Sequence, residues 1–337
     1  MKHWSIWIAA SVSVALLVAC GGNEGAQVGH VTGVMPGSPA AASPSNSLYV
    51  ANLATITVYA SGQKSPLRSI DNVEPADLTF DSSGNLYVAN IPAQGSGNVT
   101  VYRAGTSDIL RKITSEIADP RVLAFDSTGN LYVGNSYFRV EIYPLGSSQP
   151  SGYLKVFYPS AMLLDHQNDV YIASDPSPYG HGSSRVLVFA PDRKQLRSIT
   201  QGLSTPIAMA LNSQGNLFVA NYVANDVTVY AHGKTAVLRT ISNGIKAPRA
   251  LVFDAAGNLY VANSSANTVT VYTPGSSTAS RTLTTGISRP VDLRFDGTGN
   301  LYVANAKSVS VYAPGQDTPW ETITQGIKEP ITTRFGP

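Results

Sequence analysis

The sequence is poor in charge, almost without cysteine, and free of helix-forming stretches throughout its body. Asp, Glu, Lys and Arg together make up 13% of the 337 residues, about half the usual quarter. Net charge is only +2 and no long Lys/Arg run occurs, so the electrostatic footprint of a nucleic-acid binder is missing. With Cys20 as the single cysteine, an internal disulfide framework is excluded. The apolar run from Trp4 to Leu17 is too short for a stable membrane span. What is present instead is 43% apolar residues with abundant Gly, Ser, Thr and Asn, a balance that suits many short strands joined by tight turns.

The start of the chain has its own logic. Lys2 and His3 precede the apolar run, and Leu17-Val18-Ala19-Cys20 closes it, which is the layout of a secretory signal. The last four residues resemble a bacterial lipobox, and that resemblance implies cleavage before Cys20 and acylation of its thiol and amine. The expectation is a signal peptide over 1–19, a lipid anchor at Cys20 and a Gly/Ala/Ser/Pro-rich tether over 20–46 with no apolar period and too little to bury for folding. The body would then be extracytoplasmic and held at a bacterial membrane, the outer one if present.

One phrase recurs seven times: Leu48 to Asn52, Leu86 to Asn90, Leu131 to Asn135, Val170 to Ser174, Leu217 to Asn221, Leu259 to Asn263 and Leu301 to Asn305. Its spacings of 38, 45, 39, 47, 42 and 42 residues are the length of one four-stranded propeller blade. Around the sixth copy, Pro248 to Asp254 alternates as a first strand. Gly257 lies in the turn that follows, Leu259 to Ala262 forms a second strand, Val269 to Tyr272 a third, and Arg281 to Leu283 a fourth. These runs have period two and a β-branched and aromatic bias.

The chain enters its repeat on a second strand, at Leu48, and leaves on a first strand, Ile331 to Phe335. Phe80, Phe125, Phe253 and Phe295 each precede the next Leu by six residues, whereas Phe335 has no such successor. Its partner must be the strand at Leu48. The predicted fold is therefore all-β, a seven-bladed β-propeller over 47–337, with one blade shared by the two chain ends so that no edge stays open.

The sentence Pro-x-x-Leu-x-Phe-Asp-x-x-Gly-Asn-Leu-Tyr-Val-Ala-Asn, followed by Asn-Thr-Val-Thr-Val-Tyr, resembles the NHL repeat and the similar YVTN-type propeller repeat. Seven blades sit nearer the YVTN-type and lactonase-like rings. The resemblance implies that ligands bind where the fourth-to-first and second-to-third connections surround the channel mouth.

On that face two second-to-third loops exceed the repeat, Asn90 to Asn98 and Ser174 to Arg185, and excess loop on a repeat scaffold tends to mark the face in use. Asp175, Tyr179, His181 and Arg185 are the candidate ligand residues there. An Asp175–His181–Ser183 triad is disfavoured because one Gly-rich loop holds no fixed geometry. Near the mouth, Asp77, Arg121, Arg249 and Asp292 break the apolar pattern; they would hold an anionic or zwitterionic ligand, or pair with one another and keep the mouth solvated. The recurring Asn and Tyr read as turn bonding and inter-blade packing.

The leading expectation is a monomeric binding or scaffold protein for a protein, glycan or small ligand, with no cofactor and no nucleic-acid partner. The rival is a lactonase- or gluconolactonase-like hydrolase. It would need a divalent metal held by oxygen ligands, with Asp77 and Asp292, helped by an Asn, as its partners. A purely structural envelope protein is the third reading.

Overall fold

The computed structural model describes residues 47–93, 96–136, 138–175 and 182–337; Cys20, the signal segment and the tether lie outside them, as do Tyr179 and His181. Each repeat folds as predicted into one four-stranded antiparallel sheet. Seven such sheets are present and no helix occurs among the described residues. Blade 1 combines Pro330–Gly336 with Ser47–Asn52, Thr55–Tyr59 and Arg68–Asp71. Blades 2 to 7 follow in chain order over 75–113, 120–155, 159–199, 206–241, 248–283 and 292–323. Each first strand packs against that of the next blade, and Pro330–Gly336 packs against the first strands of both blade 7 and blade 2. The ring is closed.

The turns explain why the strands reverse where they do. After the first strand of blade 6, Asp254 Oδ1 accepts the backbone N–H groups of Ala256 and Asn258, and Asn258 Nδ2 donates to its Oδ2. Gly257 then takes φ +80° without a Cβ penalty. In blade 4 Asn168 replaces it at φ 62°, the substitution that the left-handed region tolerates best.

Blades are held to one another by aromatic pairs. Second-strand Tyr49, Tyr87, Phe218, Tyr260 and Tyr302 meet, edge to face, the Phe that ends the next first strand: Phe80, Phe125, Phe253, Phe295 and Phe335, with centroids 4.9–5.1 Å apart. Such pairs each contribute about 0.5–1.5 kcal/mol beyond their buried area. The third-strand Tyr hydroxyls of blades 1, 3, 5, 6 and 7 donate to carbonyls of the loop arriving from the preceding blade, at Gln325, Ser115, Gln201, Asn243 and Thr285.

The recurring Asn works as a staple. Asn305 Oδ1 accepts the backbone N–H of Ser288, while its Nδ2 donates to Gly286 O and to Ser310 Oγ. Asn52 binds Lys328 N and Gly326 O in the same way, and Asn221 binds Ser204 N and Gly202 O. Each staple joins the end of a second strand to the loop entering its own blade. The residue before the leading Pro carries a left-handed φ in six blades, at Asp119, Tyr158, Thr205, Ala247, Arg289 and Glu329. Strain of this kind persists only where its surroundings over-determine it, and its repetition shows that the fold itself demands it.

In blade 1 the register is Leu48↔Phe335, Val50↔Thr333 and Asn52↔Pro330, the same Leu↔Phe pairing that blade 6 makes between Leu259 and Phe253. Deleting residues 330–337 removes the innermost strand of that blade. The expected outcome is loss of the single cooperative unfolding transition in calorimetry; a truncated chain as cooperative and heat-resistant as the full chain would show that the closing strand is dispensable.

Candidate functional site

The first strands stand innermost and so line the channel. In blades 2 to 6 the pairing of first with second strand skips one residue directly after the leading Pro, between Pro75 and Asp77, Pro120 and Val122, Pro159 and Ala161, Pro206 and Ala208, and Pro248 and Ala250. A bulge of this kind re-aims the extra side chain. In blades 3 and 6 that residue is Arg121 and Arg249, so two predicted mouth residues owe their direction to a bulge. Arg121 Nε donates to Ser136 Oγ at 2.6 Å, and Ser136 Oγ in turn donates to Asp119 O. Arg249 lies over the Tyr222 ring of blade 5, 5.3 Å from its centroid, a cation–π distance. Blades 3 and 6 are three positions apart, the greatest separation a seven-membered ring allows, so the two guanidinium groups sit across the mouth from each other.

Two residues below the leading Pro the environment changes. Asp77 in blade 2 and Asp292 in blade 7 are 0% exposed and do not form a solvated mouth. Between them, on the closing strand, lies Arg334. Its Nη2 is 3.0 Å from Asp77 Oδ1 and its Nη1 3.9 Å from Asp292 Oδ2. Arg294, on the strand of Asp292, contributes a second buried guanidinium, with Nε 3.4 Å from Asp292 Oδ2 and a hydrogen bond to Thr333 O. Two carboxylates and two guanidinium groups thus balance across three neighbouring blades.

The carboxylates have a further duty. Asp77 Oδ2 accepts the backbone N–H of Leu123 in blade 3, and Asp292 Oδ2 accepts that of Thr333 in blade 1, together with the hydroxyls of Thr332 and Thr333. An innermost strand has no partner on its channel side, and a buried N–H left unmatched there would cost about 1–3 kcal/mol. The same offset in two blades satisfies the same edge donor. The sequence left two roles open for Asp77 and Asp292, holding a ligand or metal and pairing with neighbouring charges; in the structure they are buried, and their oxygens engage Arg334, Arg294 and the strand edge. Among the described residues no group of three or more His, Cys, Asp or Glu side chains is placed to hold a metal. Arg294 and Arg334 escaped the sequence reading. Their signal was the period-two offset that sets Asp292 and Arg294 on one face.

The loop after Ser174 is partly described. Ser174 takes the place of the staple Asn, and its hydroxyl donates to Phe157 O. Asp175 is buried and accepts the Ser184 hydroxyl at 2.8 Å; Ser184 Oγ also accepts the backbone N–H of Thr205 in the loop entering blade 5. Asp175, a candidate ligand residue in the sequence, thus ties the loop base to the next blade through Ser184. Arg185 is half-exposed, its Nε on Ser183 O at 3.2 Å. The structure brings Asp77 and Asp292 together through Arg334. It leaves Arg121, Arg185 and Arg249 on separate blades of the rim.

Fold and channel wall together define a seven-bladed β-propeller with a shared closing blade. Solved structures of the same architecture include a functionally unknown protein from Desulfotomaculum acetoxidans, at 14% identity and TM-score 0.69, with 86% of this chain and 99% of the other covered. A protein described as a putative 6-phosphogluconolactonase from Bacteroides uniformis aligns at 14% identity and TM-score 0.71 over 87% of this chain and 100% of its own. Another so described, from Bacteroides fragilis, aligns at 15% identity and TM-score 0.71 over 88% and 99%. At such identities the shared property is the fold. No family profile and no curated protein sequence matches the chain.

Burial holds the Asp77 carboxyl up at about 6, against the opposing pull of Arg334. Between the ordinary value of 3.8 and about 6 the folded protein therefore binds more protons than the unfolded chain. The contribution of this group to stability falls as pH rises through that window. Asp77→Asn costs an acceptor at every pH but removes the titration. Urea unfolding at about pH 4 and about pH 6 should show a flatter pH dependence than the parent; an unchanged slope would contradict the assignment.

Proposed function

We propose that the chain is an exported, lipid-anchored binding propeller, tethered through Cys20 outside the cytoplasm, which presents its upper rim to a protein, glycan or small anionic ligand. The repeat is read as the NHL/YVTN type, and the working unit as a monomer without a cofactor. The observation that carries this reading is the fate of the channel carboxylates. Asp77 and Asp292 are buried and paired with Arg334 and Arg294, so these two channel-wall carboxylates hold blades together. The guanidinium groups of Arg121 and Arg249 lie on the rim, each carried by a bulge, and that of Arg185 lies at the base of the loop after Ser174.

A second reading, a lactone hydrolase, is favoured by the fold shared with the two Bacteroides proteins described as putative 6-phosphogluconolactonases. Under that reading the catalytic groups would have to come from the rim and its loops, with any divalent metal held by residues other than Asp77 and Asp292.

The two readings separate in one set of measurements. The full chain is screened on glycan arrays and in pull-downs beside variants lacking 176–181 or carrying Arg121→Ala with Arg249→Ala, and is assayed for hydrolysis of sugar lactones before and after chelation. The binding reading expects a partner retained by the parent and weakened at least about tenfold by a rim variant, with no lactone turnover. Chelator-sensitive turnover would replace it with the hydrolase reading. Partners bound equally by every variant would remove the rim from consideration.

A further inference from the structure

In most blades the lower end of the second strand carries a matched set of polar groups. In blade 4, Tyr171 OH donates to Asp165 Oδ2 in the turn below and accepts Arg197 Nη2 at 3.3 Å from the fourth strand. Arg111 Nη2 reaches Tyr87 OH at 2.8 Å in blade 2, and Arg68 Nη2 reaches Tyr49 OH at 2.7 Å in blade 1. In blade 6 Arg281 pairs with Asp317 of blade 7. Every one of these guanidinium groups has an oxygen to donate to.

Blade 5 keeps the cation and lacks both oxygens. Arg239 occupies the same fourth-strand position, opposite Val229, but Phe218 stands where the Tyr should be and Asn212 where the turn Asp should be. Arg239 lies over the Phe218 ring, 5.7 Å from its centroid, and its Nε, like those of Arg68 and Arg111, is shielded from solvent with no hydrogen-bond partner, but Arg239 has no Tyr hydroxyl for its Nη groups. Burial lowers its pKa, as expected of a cation without a compensating anion. Asn212 adds a second donor. Its Oδ1 accepts the backbone N–H groups of Gln214 and Asn216, which leaves the Nδ2 end where the other turns place a carboxylate oxygen.

Both donors line one cavity of about 540 Å³ between blades 5 and 6, on the face opposite the rim. Arg239 is the only charged residue among those that line it. Blade 6 contributes an apolar stretch of wall with Ala255, Ala256 and Pro274, and blade 5 adds Leu238 and Phe218, beside the uncharged polar Ser213, Gln214 and Thr273. The volume is that of a small-molecule site, where apolar walls and a few convergent polar groups are the usual pattern.

We propose that this inter-blade cavity binds a small organic monocarboxylate, its carboxylate received by Arg239 and Asn212 and its apolar body lying against Phe218 and the Ala255–Ala256 wall. A guanidinium and an amide donor lining one cavity that holds no carboxylate side chain suit an anion. A single cation and an apolar wall suit a carboxylate with a hydrocarbon body better than a phosphate dianion.

Titration of the full chain with benzoate, followed by NMR, tests this. Saturable shifts are expected for Leu238 and the Phe218 ring, with neutral benzamide and dianionic phenyl phosphate each at least about tenfold weaker. The repeat itself supplies a control that preserves folding: Phe218→Tyr with Asn212→Asp rebuilds the set found in blade 4. This double variant is expected to melt higher than the parent and to bind benzoate at least about tenfold more weakly, and Arg239→Gln to lose binding altogether. Absence of saturable shifts in the parent, benzoate binding that the double variant or Arg239→Gln leaves unchanged, or benzamide or phenyl phosphate bound as tightly as benzoate would each overturn the proposal.

Discussion

The strand Pro330–Gly336 must lie between the first strands of blades 7 and 2 while pairing with Ser47–Asn52 from the other end of the chain. Arg334 enforces that position, set between the carboxylates of Asp77 and Asp292. The rest of the molecule depends on this contact, because a ring with one open joint exposes two sheet edges and loses the inter-blade aromatic pairs on either side of the gap. Each such Asp caps a strand edge and neutralises an arginine, and truncating one partner of such a buried pair leaves an uncompensated charge, a loss on the order of 3–5 kcal/mol.

A repeat protein carries its own control, since duties imposed by the fold recur and those imposed by use do not. The Asn staples and, in six blades, the left-handed residue before the leading Pro recur around the ring, so neither marks a site. Departures from the pattern carry more information. Ser174 in place of Asn begins a longer loop, whose base is then tied down by Asp175 and Ser184. Gly152 in blade 3 stands where other blades place the fourth-strand Arg, and Arg193 of blade 4 fills the vacated space by binding Ser151. That loss is compensated by a neighbour, whereas the loss of Tyr and Asp in blade 5 is not, and there a cavity remains.

The strands were legible because each alternates with period two and ends in turn residues with a mechanical role, such as Asp254 and Gly257. Ring closure was legible from one missing neighbour, the Leu that Phe335 lacks on its C-terminal side. The channel charges were not, because their partners are remote in sequence: Arg334 donates to a carboxylate 257 residues away, and only the closed ring brings the two together. Viewed along the chain, Asp77 and Asp292 look like isolated polar residues near a loop, and isolated polar residues near loops are usually solvated. Arg239 was obscure for a different reason. Fourth strands are half-exposed and weakly patterned, as in Val237–Ile241, so their alignment from blade to blade comes from the register and not from hydrophobicity.

Register is also where the buried charges have their clearest physical role. In a hairpin, the turn fixes which residues face each other. The pairing of Pro330–Gly336 with Ser47–Asn52 has no turn, since its strands arrive from opposite ends of the chain. A slip by two residues would keep every side chain on its proper face, so apolar alternation alone would not oppose it. Two contacts do. Phe335 would lose its edge-to-face partner Tyr302, and Arg334 would leave both carboxylates, so that Arg334 and Asp77 would be buried without counter-ions while Asp292 kept only Arg294. A hydrophobic side chain at that position would pack as well in either register, whereas a guanidinium held between two fixed carboxylates packs in only one. The closing strand thus has its position specified by charge where the other six first strands have theirs specified by a turn.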